Sequence, residues 1–362
     1  MKPSLLFIPD ISGFTKFVNE TEVEHGRHII AELLQLIVDQ NQLGLTVSEL
    51  EGDAVFFYRE GHLPTSEELI AQSRAMFEAF HAHIRRYETQ RICECGACCG
   101  ALQLTLKIVA HAGPIDLLSV AGFKKPYGPD VIVAHRLLKN DVPDREYLLM
   151  TESSFSEDGD PVTPEWSALC SGSAEVDDVG VFPYRWIPLS PLHEFVPDPP
   201  PPPTFRRMEN PFRMSTVVDR DPDELFELIS NFDLRGHWNH GVDRLEYEAE
   251  RVNRIGTQHR CVIGDRLIDF ETVTNDFGEG RRAYGEHLPT NPIVREHVNY
   301  FIVEPEDGRS RLTVEVHYTP RIFPLSLLSP LMRRQAKKFV PPVLDALKKA
   351  AESDAWRPTA LV

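Results

Sequence analysis

Two aspartates lie where a strand gives way to a turn. Asp10 follows the apolar run of residues 5–8, and Asp53 lies in the predicted turn of a hairpin over residues 45–57. If the two strands pair, the carboxylates converge. Two such groups suit Mg²⁺ bound with substrate phosphates, and two ions about 3.5–4 Å apart would clamp an in-line displacement. The structural alternative is a helix cap and a turn, where aspartate is also common.

The residues directly after Asp10 offer a place for phosphate. Ser12, Gly13, Phe14 and Thr15 open a helical pattern, so backbone N–H groups lie just beyond the carboxylate. A helix start of this kind binds anions. We therefore expect Gly13, Phe14 and Thr15 to contact a nucleotide.

This stretch resembles the first metal motif of class III nucleotidyl cyclases, and Glu51-Gly52-Asp53 resembles the second. The resemblance covers roughly the first half of the chain. It implies that Asp10 and Asp53 hold catalytic Mg²⁺ or Mn²⁺. It also implies that a nucleoside triphosphate is converted to a cyclic nucleotide and pyrophosphate, at the interface of a head-to-tail homodimer.

Four further positions follow from this resemblance. Glu49 falls where guanylyl types contact the base through glutamate, and Arg136 falls on the arginine that stabilises the transition state. Lys125 takes the second base-recognising position but matches neither the adenylyl nor the guanylyl residue. Ile132 stands where the family has a ribose-orienting asparagine. Glu49 and Arg136 also read as ordinary surface residues, and the departures favour a degenerate domain that senses a nucleotide without cyclising it.

A cysteine cluster gives a second indication of metal chemistry. Cys93, Cys95, Cys98 and Cys99 lie within seven residues, and three or four thiolates at this spacing can bind Zn²⁺. The fourth ligand would be Cys99 or a residue such as His111. A redox-active thiol cluster or reduced structural cysteines are the alternatives. A structural role is favoured over catalysis, because the cluster is far in sequence from both aspartates.

Elements that alternate between strand and helix must position these groups. Helical spacing extends over residues 17–39 and 69–87, strands are predicted at 102–109 and 115–120, and a helix at 131–138. We expect residues 115–120 to pair back on the preceding strand. This order is close to the ferredoxin-like arrangement of an α+β domain, which class III cyclase domains share, over residues 1–190.

A proline-rich linker over residues 191–204 separates a second domain, residues 205–355. Six predicted strands and a closing helix near 327–351, interrupted by Pro341-Pro342, follow a capped helix at Asp221. This half is similar to the START-like, polyketide-cyclase-like superfamily, which has a helix-grip fold. The resemblance implies an apolar cavity for a hydrophobic small molecule, with Trp238 as core or pocket wall.

Composition excludes several classes of protein. The net charge of −17 argues against general nucleic-acid binding, and no apolar run approaches the ~20 residues of a membrane span. We expect a cytoplasmic protein. The leading hypothesis is a nucleotidyl cyclase regulated by an apolar ligand. The alternatives are a degenerate nucleotide or ligand sensor joined to a hydrophobic-ligand carrier, and a START-like domain that is itself a small enzyme.

Overall fold

The computed structural model describes residues 3–21, 23–156, 161–177, 179–249, 251–290, 294–321, 324–353 and 355–356. The chain forms two compact units. The first contains Met1–Glu88 and Cys95–Pro199, and the second contains Thr89–Glu94 and Pro200–Val362. Within the described residues, no helix is both long and apolar enough to cross a membrane.

The first unit combines one large sheet with helices and a separate hairpin. In chain order its strands and helices are β1 Pro3–Ser12, α1 Phe14–Glu20, α2 Val23–Asp39, β2 Thr46–Glu51, β3 Ala54–Glu60, α3 Ser66–Thr89, α4 Gly96–Gly100, β4 Thr105–Pro114, β5 Asp116–Val120, β6 Phe123–Tyr127, α5 Pro129–Arg136, β7 Tyr147–Thr151, β8 Cys170–Val176 and β9 Gly180–Pro188.

The strand order confirms the α+β prediction for this unit. The sheet runs β2-β3-β1-β4-β7-β9-β8, and its first four strands have the order and the β-α-β-β-α-β connections of a ferredoxin-like core. Central β1 is antiparallel to β3 and β4, whereas β4 and β7 are parallel. The alternation of β1 is hidden because both of its faces are buried.

Two local predictions were wrong. The helical stretch 17–39 is two helices, since α1 ends at the extended residue Thr21, after a run of polar residues that offers no apolar face. Strand β5 does not pair back on β4. It pairs with β6, in a two-stranded sheet of its own.

Helix α5 packs on one face of this sheet. Ala134 of α5 joins a core with Leu6 and Ile8 of β1 and Phe56 of β3. Val133 and Leu137 join a neighbouring core with β4 and β7. The helix is thereby fixed over the strands that carry the two predicted metal ligands.

The second unit is a seven-stranded antiparallel sheet with one long helix. Its strands run in the order β10-β16-β15-β14-β13-β12-β11. Its strands and helices are β10 Phe212–Val218, α6 Pro222–Ser230, β11 Arg244–Glu246, β12 Gln258–Ile263, β13 Arg266–Val273, β14 Arg282–His287, β15 Val294–Glu306, β16 Arg309–Pro320 and α7 Leu325–Glu352.

This arrangement is the predicted helix-grip domain. Asp221 caps α6, with its carboxylate accepting hydrogen bonds from the N–H groups of Asp223 and Glu224. Helix α7 is continuous, although an interruption at Pro341-Pro342 was expected. Each proline removes one helical hydrogen bond. The helix persists because its apolar face, with Val340 and Leu344, is buried in the core of the unit.

Candidate functional site

Asp10 and Asp53 meet at one edge of the first sheet. Asp10 is paired with Ala54 across β1 and β3, and the N–H of Ile11 donates to the carbonyl oxygen of Asp53 at 2.9 Å. The hairpin turn at 51–53 forms as predicted, between β2 and β3. The backbone therefore presents both aspartates together, as the sequence predicted.

The charges of the two carboxylates influence one another. Burial, followed by the negative charge of Asp10, raises the pKa of Asp53 to about 6, against the opposing influence of a backbone hydrogen bond and of the positive charge of Lys107. Lys107 lies opposite Asp10 on β4, with its Nζ 2.9 Å from Asp10 Oδ2. A half-buried pair of like charges favours a cation beside it, and Lys107 supplies one.

The donor set fits a hard divalent cation. Two carboxylates from adjacent strand ends offer the oxygen ligands that Mg²⁺ and Mn²⁺ take, with room for substrate phosphates to complete the coordination. Burial is the larger cause of the raised pKa of Asp53, and the neighbouring charge of Asp10 is the second. Lys107 contacts Asp10 and also donates to the carbonyl oxygen of Leu138 at 3.2 Å, so it has a second partner when Asp10 binds another cation.

The predicted phosphate segment begins with a glycine in the left-handed conformation. Gly13 precedes α1 with φ +92°, a left-handed conformation that favours glycine. The ring of Phe14 lies beside the hairpin turn at Gly52, and Thr15 is exposed. Gly13 also lines a cleft of about 410 Å³, to which Lys16 and Arg145 contribute positive charge.

The two predicted base-contacting residues are brought together. Lys125 Nζ of β6 lies 3.6 Å from Glu49 Oε1 of β2. A register shift in β2 lies between Val47 and Glu49. Two residues further along, Glu51 lies 3.3 Å from His135 Nδ1 of α5. The hairpin edge thus carries two acid–base pairs side by side.

Arg136 and Ile132 are exposed and lie one turn apart on α5. The helix is anchored by Asp130, whose Oδ1 lies 3.1 Å from His111 Nε2, while His111 Nδ1 lies 2.9 Å from Thr151 Oγ1. Burial lowers the pKa of His111. His111 therefore has partners of its own, and its predicted role as a zinc ligand with the cysteines was wrong.

The cysteine cluster gains a histidine that the sequence did not point to. His25, on α2, has its Nδ1 3.3 Å from Cys95 Sγ and 3.7 Å from Cys98 Sγ. Cys93 is buried, whereas Cys99 is exposed. His25 was missed because about 70 residues separate it from the cysteines and nothing in its own helix marks it.

A second group that the sequence did not indicate lies around Glu146. His81 Nε2 of α3 lies 3.0 Å from Glu146 Oε1, and His193 Nε2 lies 2.8 Å from Glu146 Oε2. Burial lowers the pKa of His81. One carboxylate thus joins α3, the start of β7 and the chain after β9.

In the second unit, Trp238 is buried in the core and its Nε1–H donates to the carbonyl oxygen of Leu228 at 2.9 Å. The guanidinium of Arg235 lies 4.6 Å from its ring centroid and pairs with Glu286. The hydroxyl of Tyr284 donates to Glu286 Oε1 at 3.0 Å. A charged cluster therefore lies in an otherwise apolar core, and Trp238 as a ligand-pocket wall remains a prediction.

Comparison with protein families assigns the second half. Residues 211–352 match the family described as "Polyketide cyclase / dehydrase and lipid transport". Residues 211–352 are a domain of that family. In the first unit, residues 30–147 match a family described as a protein of unknown function, DUF2652. This assignment agrees with the helix-grip fold of the second unit, an antiparallel sheet with one long helix.

One known protein resembles about a third of the chain. An uncharacterised protein of Mycobacterium tuberculosis, Rv2561/Rv2562, is 35% identical over 123 residues, which are 34% of this chain and 57% of that protein. The chain thus spans little more than half the length of this relative.

Solved structures with low identity match each half separately. A guanylate cyclase domain from Catenaria anguillulae, in complex with GTP, is 13% identical and covers 51% of this chain and 96% of its own, with TM-score 0.37. The adenylyl cyclase CyaB of P. aeruginosa is 14% identical, covers 51% and 93%, and has TM-score 0.36. Norcoclaurine synthase from Thalictrum flavum is 14% identical over 39% and 84%, with TM-score 0.31. The strand order, rather than these scores, defines the fold of the first unit.

Proposed function

We propose that the first unit is a nucleotidyl cyclase that binds a nucleoside triphosphate with Mg²⁺ or Mn²⁺ at Asp10 and Asp53. The observation that carries the proposal is the convergence of these two carboxylates, to the point where the charge of Asp10 raises the pKa of Asp53. Two neighbouring acids repel one another, and a divalent cation bound between them would remove that repulsion.

The reaction would be an in-line displacement at the α-phosphorus. The ribose 3′-oxygen forms a bond to the phosphorus, its proton passes to water, and the bond to the bridging oxygen breaks to release pyrophosphate. The metal ions, when bound, stabilise the entering and leaving oxygens. Asp10 and Asp53 would hold the metal ions in position. Lys107, 2.9 Å from Asp10, adds a positive group for the triphosphate.

Base recognition is assigned to Glu49 and Lys125. A glutamate accepts from N–H donors on the edge of a purine, and an ammonium donates to a ring nitrogen or a carbonyl oxygen. Because the two side chains already lie 3.6 Å apart, one base can contact both. Glu49 favours guanine, whose edge carries N1–H and N2–H₂ next to each other.

A second copy of the chain would complete the site. Arg136 is exposed on α5, so it is available to a substrate held by a partner subunit. Exposed apolar side chains lie on α5 and on the hairpin that precedes it in the chain, with Val120 61%, Tyr127 65% and Ile132 54% exposed. Apolar residues at this exposure suit an interface between copies.

The direct test incubates the purified chain with Mn²⁺ and GTP or ATP and identifies the products by mass spectrometry. We expect a cyclic nucleotide and pyrophosphate, with loss of at least about 100-fold in Asp10→Asn and Asp53→Asn. Asp39→Asn is the matched control, because Asp39 is an exposed residue that accepts a hydrogen bond from Gln35 within its own helix. Absence of product, or equal activity in all variants, would reject the proposal.

Ile132 favours a second candidate function, nucleotide sensing without cyclisation. An exposed isoleucine cannot donate the hydrogen bonds that an asparagine at this position would give. Ile132→Asn separates the two functions. A cyclase gains turnover in this variant, whereas a sensor binds Mn²⁺-nucleotide in both forms and yields no product in either.

The polyketide cyclase domain would bind a hydrophobic small molecule and modulate the nucleotide chemistry. Its family description includes lipid transport, and its sheet and long helix surround a large apolar core. Binding of the probe anilinonaphthalene sulfonate to the folded chain, followed by displacement with fatty acids, tests this part. Cyclase rates measured with and without the displacing fatty acid test the regulation.

A further inference from the structure

We infer that the chain contains a structural Zn²⁺ site formed by His25, Cys95 and Cys98 and completed by one flanking thiol. The ligand atoms of His25, Cys93, Cys95 and Cys98 lie within 4.8 Å of one another. Nitrogen and sulfur are the donors that zinc prefers, and structural zinc sites have four protein ligands.

The distances match the metal. With Zn–S about 2.3 Å and Zn–N about 2.0–2.1 Å, tetrahedral geometry puts a nitrogen and a sulfur ligand about 3.6 Å apart. His25 Nδ1 lies 3.3 Å from Cys95 Sγ and 3.7 Å from Cys98 Sγ. The ligand atoms therefore already lie near the edges of a zinc tetrahedron.

The backbone prepares one of the sulfurs for this role. Cys95 precedes α4, and its Sγ accepts a hydrogen bond from the N–H of Cys98 at 3.4 Å. An N–H···S bond favours the thiolate, which is the form that binds metal. Cys98 is 1% exposed, so the bound ion would be shielded from water on that side.

The fourth ligand is one of the two remaining thiols of the cluster. Cys93 is 7% exposed, whereas Cys99 is exposed and lines the cleft near Gly13. A closed structural site takes buried ligands, which favours Cys93 over Cys99.

The site would join the start of α2 to α4. Residue 25 lies in the first turn of α2, and α1 and α2 both pack against α4. Helix α1 follows Gly13, so a metal bound here would hold the helices next to the segment that we assign to phosphate binding. This inference stands apart from the proposed cyclase activity, because it concerns different residues and a different metal.

Zinc content of the full-length chain is the test. We expect one Zn²⁺ per chain after purification without chelator. In His25→Ala, Cys95→Ser and Cys98→Ser, zinc affinity should fall by more than the roughly 100-fold that loss of an outer-shell partner costs. His62→Ala and Cys170→Ser are matched controls, since His62 is exposed and Cys170 lies in β8, and both should keep the metal.

Cobalt substitution keeps the test informative if a variant folds poorly. The Co²⁺-loaded wild-type protein should show thiolate-to-cobalt charge transfer and tetrahedral ligand-field bands. Cys93→Ser is expected to weaken both, and Cys99→Ser to leave them unchanged; the reverse result would assign Cys99. Three results would overturn the inference: a wild-type protein that binds no Zn²⁺ at micromolar concentration, a cobalt spectrum without thiolate bands, or full retention of metal by both Cys95→Ser and Cys98→Ser.

Discussion

The ammonium of Lys107 lies 2.9 Å from the carboxylate of Asp10, with both side chains largely buried. These residues are direct partners across β4 and β1. The first of the two predicted metal ligands therefore already has a positively charged neighbour within the protein. A divalent cation must share Asp10 with Lys107 or displace it towards the carbonyl oxygen of Leu138.

Removal of Lys107 should separate metal binding from triphosphate binding. Lys107→Met removes the positive charge beside the two carboxylates, so we expect Mn²⁺ alone to bind roughly tenfold more tightly. The Mn²⁺-nucleotide complex should bind more weakly, because the triphosphate loses a positively charged partner. Calorimetric titration measures both. Lys348→Met is the matched control, since Lys348 likewise pairs with a carboxylate, that of Glu352, and donates to a backbone carbonyl oxygen, but in the second unit. Unchanged Mn²⁺ affinity in Lys107→Met would show that Lys107 does not compete with the metal.

The pair of Glu49 and Lys125 should govern the choice of base. Glu49→Ala removes the acceptor for guanine N1–H and N2–H₂, and we expect the ratio of GTP to ATP binding to fall by about tenfold or more. Lys124→Ala, next to the pair on the same exposed hairpin, should leave the ratio unchanged. Competitive binding of the two nucleotides in the presence of Mn²⁺ is the measurement. An unchanged ratio in Glu49→Ala would remove Glu49 from the base site.

Gly113 should be required for the position of α5. A Cβ atom at Gly113 would collide with the carboxylate of Asp130, which lies 3.1 Å from His111. We expect Gly113→Ala to lower the free energy of unfolding by about 1–3 kcal/mol. Gly100→Ala is the control, since its Cβ would meet neighbours only at 3.5 Å or more.

The cost of Gly113→Ala should depend on Asp130. In an Asp130→Ala background the carboxylate is absent, so the added methyl group has room and the second substitution should cost much less. An equal cost in both backgrounds would place the strain elsewhere. Urea denaturation of the four proteins of this cycle provides the free energies.

Stability of the polyketide cyclase domain should fall with acidification because of His259. Burial, followed by the charge of Arg235, lowers the pKa of His259 to about 2. The unfolded chain takes up the proton near pH 6.5 while the folded state does not. The contribution of His259 to stability is therefore lost as pH falls below about 6.5, by up to roughly 1.4 kcal/mol per pH unit.

His259→Phe is the variant that tests this slope. The ring stacks on Phe270 at 5.4 Å between centroids, so a phenyl group can replace it without a titratable nitrogen. We expect a flatter dependence of the free energy of unfolding between pH 7 and 5, whereas the exposed control His240→Phe should keep the wild-type dependence. Equal slopes in wild type and His259→Phe would contradict the assigned cause.

The convergence of Asp10 and Asp53 followed from sequence because strand ends and a hairpin turn are local features. Glu49 and Lys125 were proposed from a resemblance, and the fold brings them to one edge. Lys107 was missed since a lysine in an alternating strand normally faces solvent. Lys107 lies between apolar Leu106 and Ile108. That position, considered together with the strand that carries Asp10, is the signal that could have indicated the pair.

Contacts between residues far apart in the chain could not be predicted from the sequence. His25 meets Cys95 only because α2 packs on α4, and Glu146 joins His81 and His193 through three separate segments. Sequence spacing carries no information on such contacts. The continuity of α7 was also missed, because proline penalises a helix locally whereas burial of the opposite face is a tertiary effect.

The central claim is that Asp10 and Asp53 together hold the divalent ion that binds a triphosphate. Calorimetric titration of the full chain with a non-hydrolysable GTP analogue, with and without Mn²⁺, tests it most directly. We predict binding that requires Mn²⁺ and weakens at least about 100-fold in Asp53→Asn and in Asp10→Asn. Binding of equal strength without the metal, or in either variant, would contradict it.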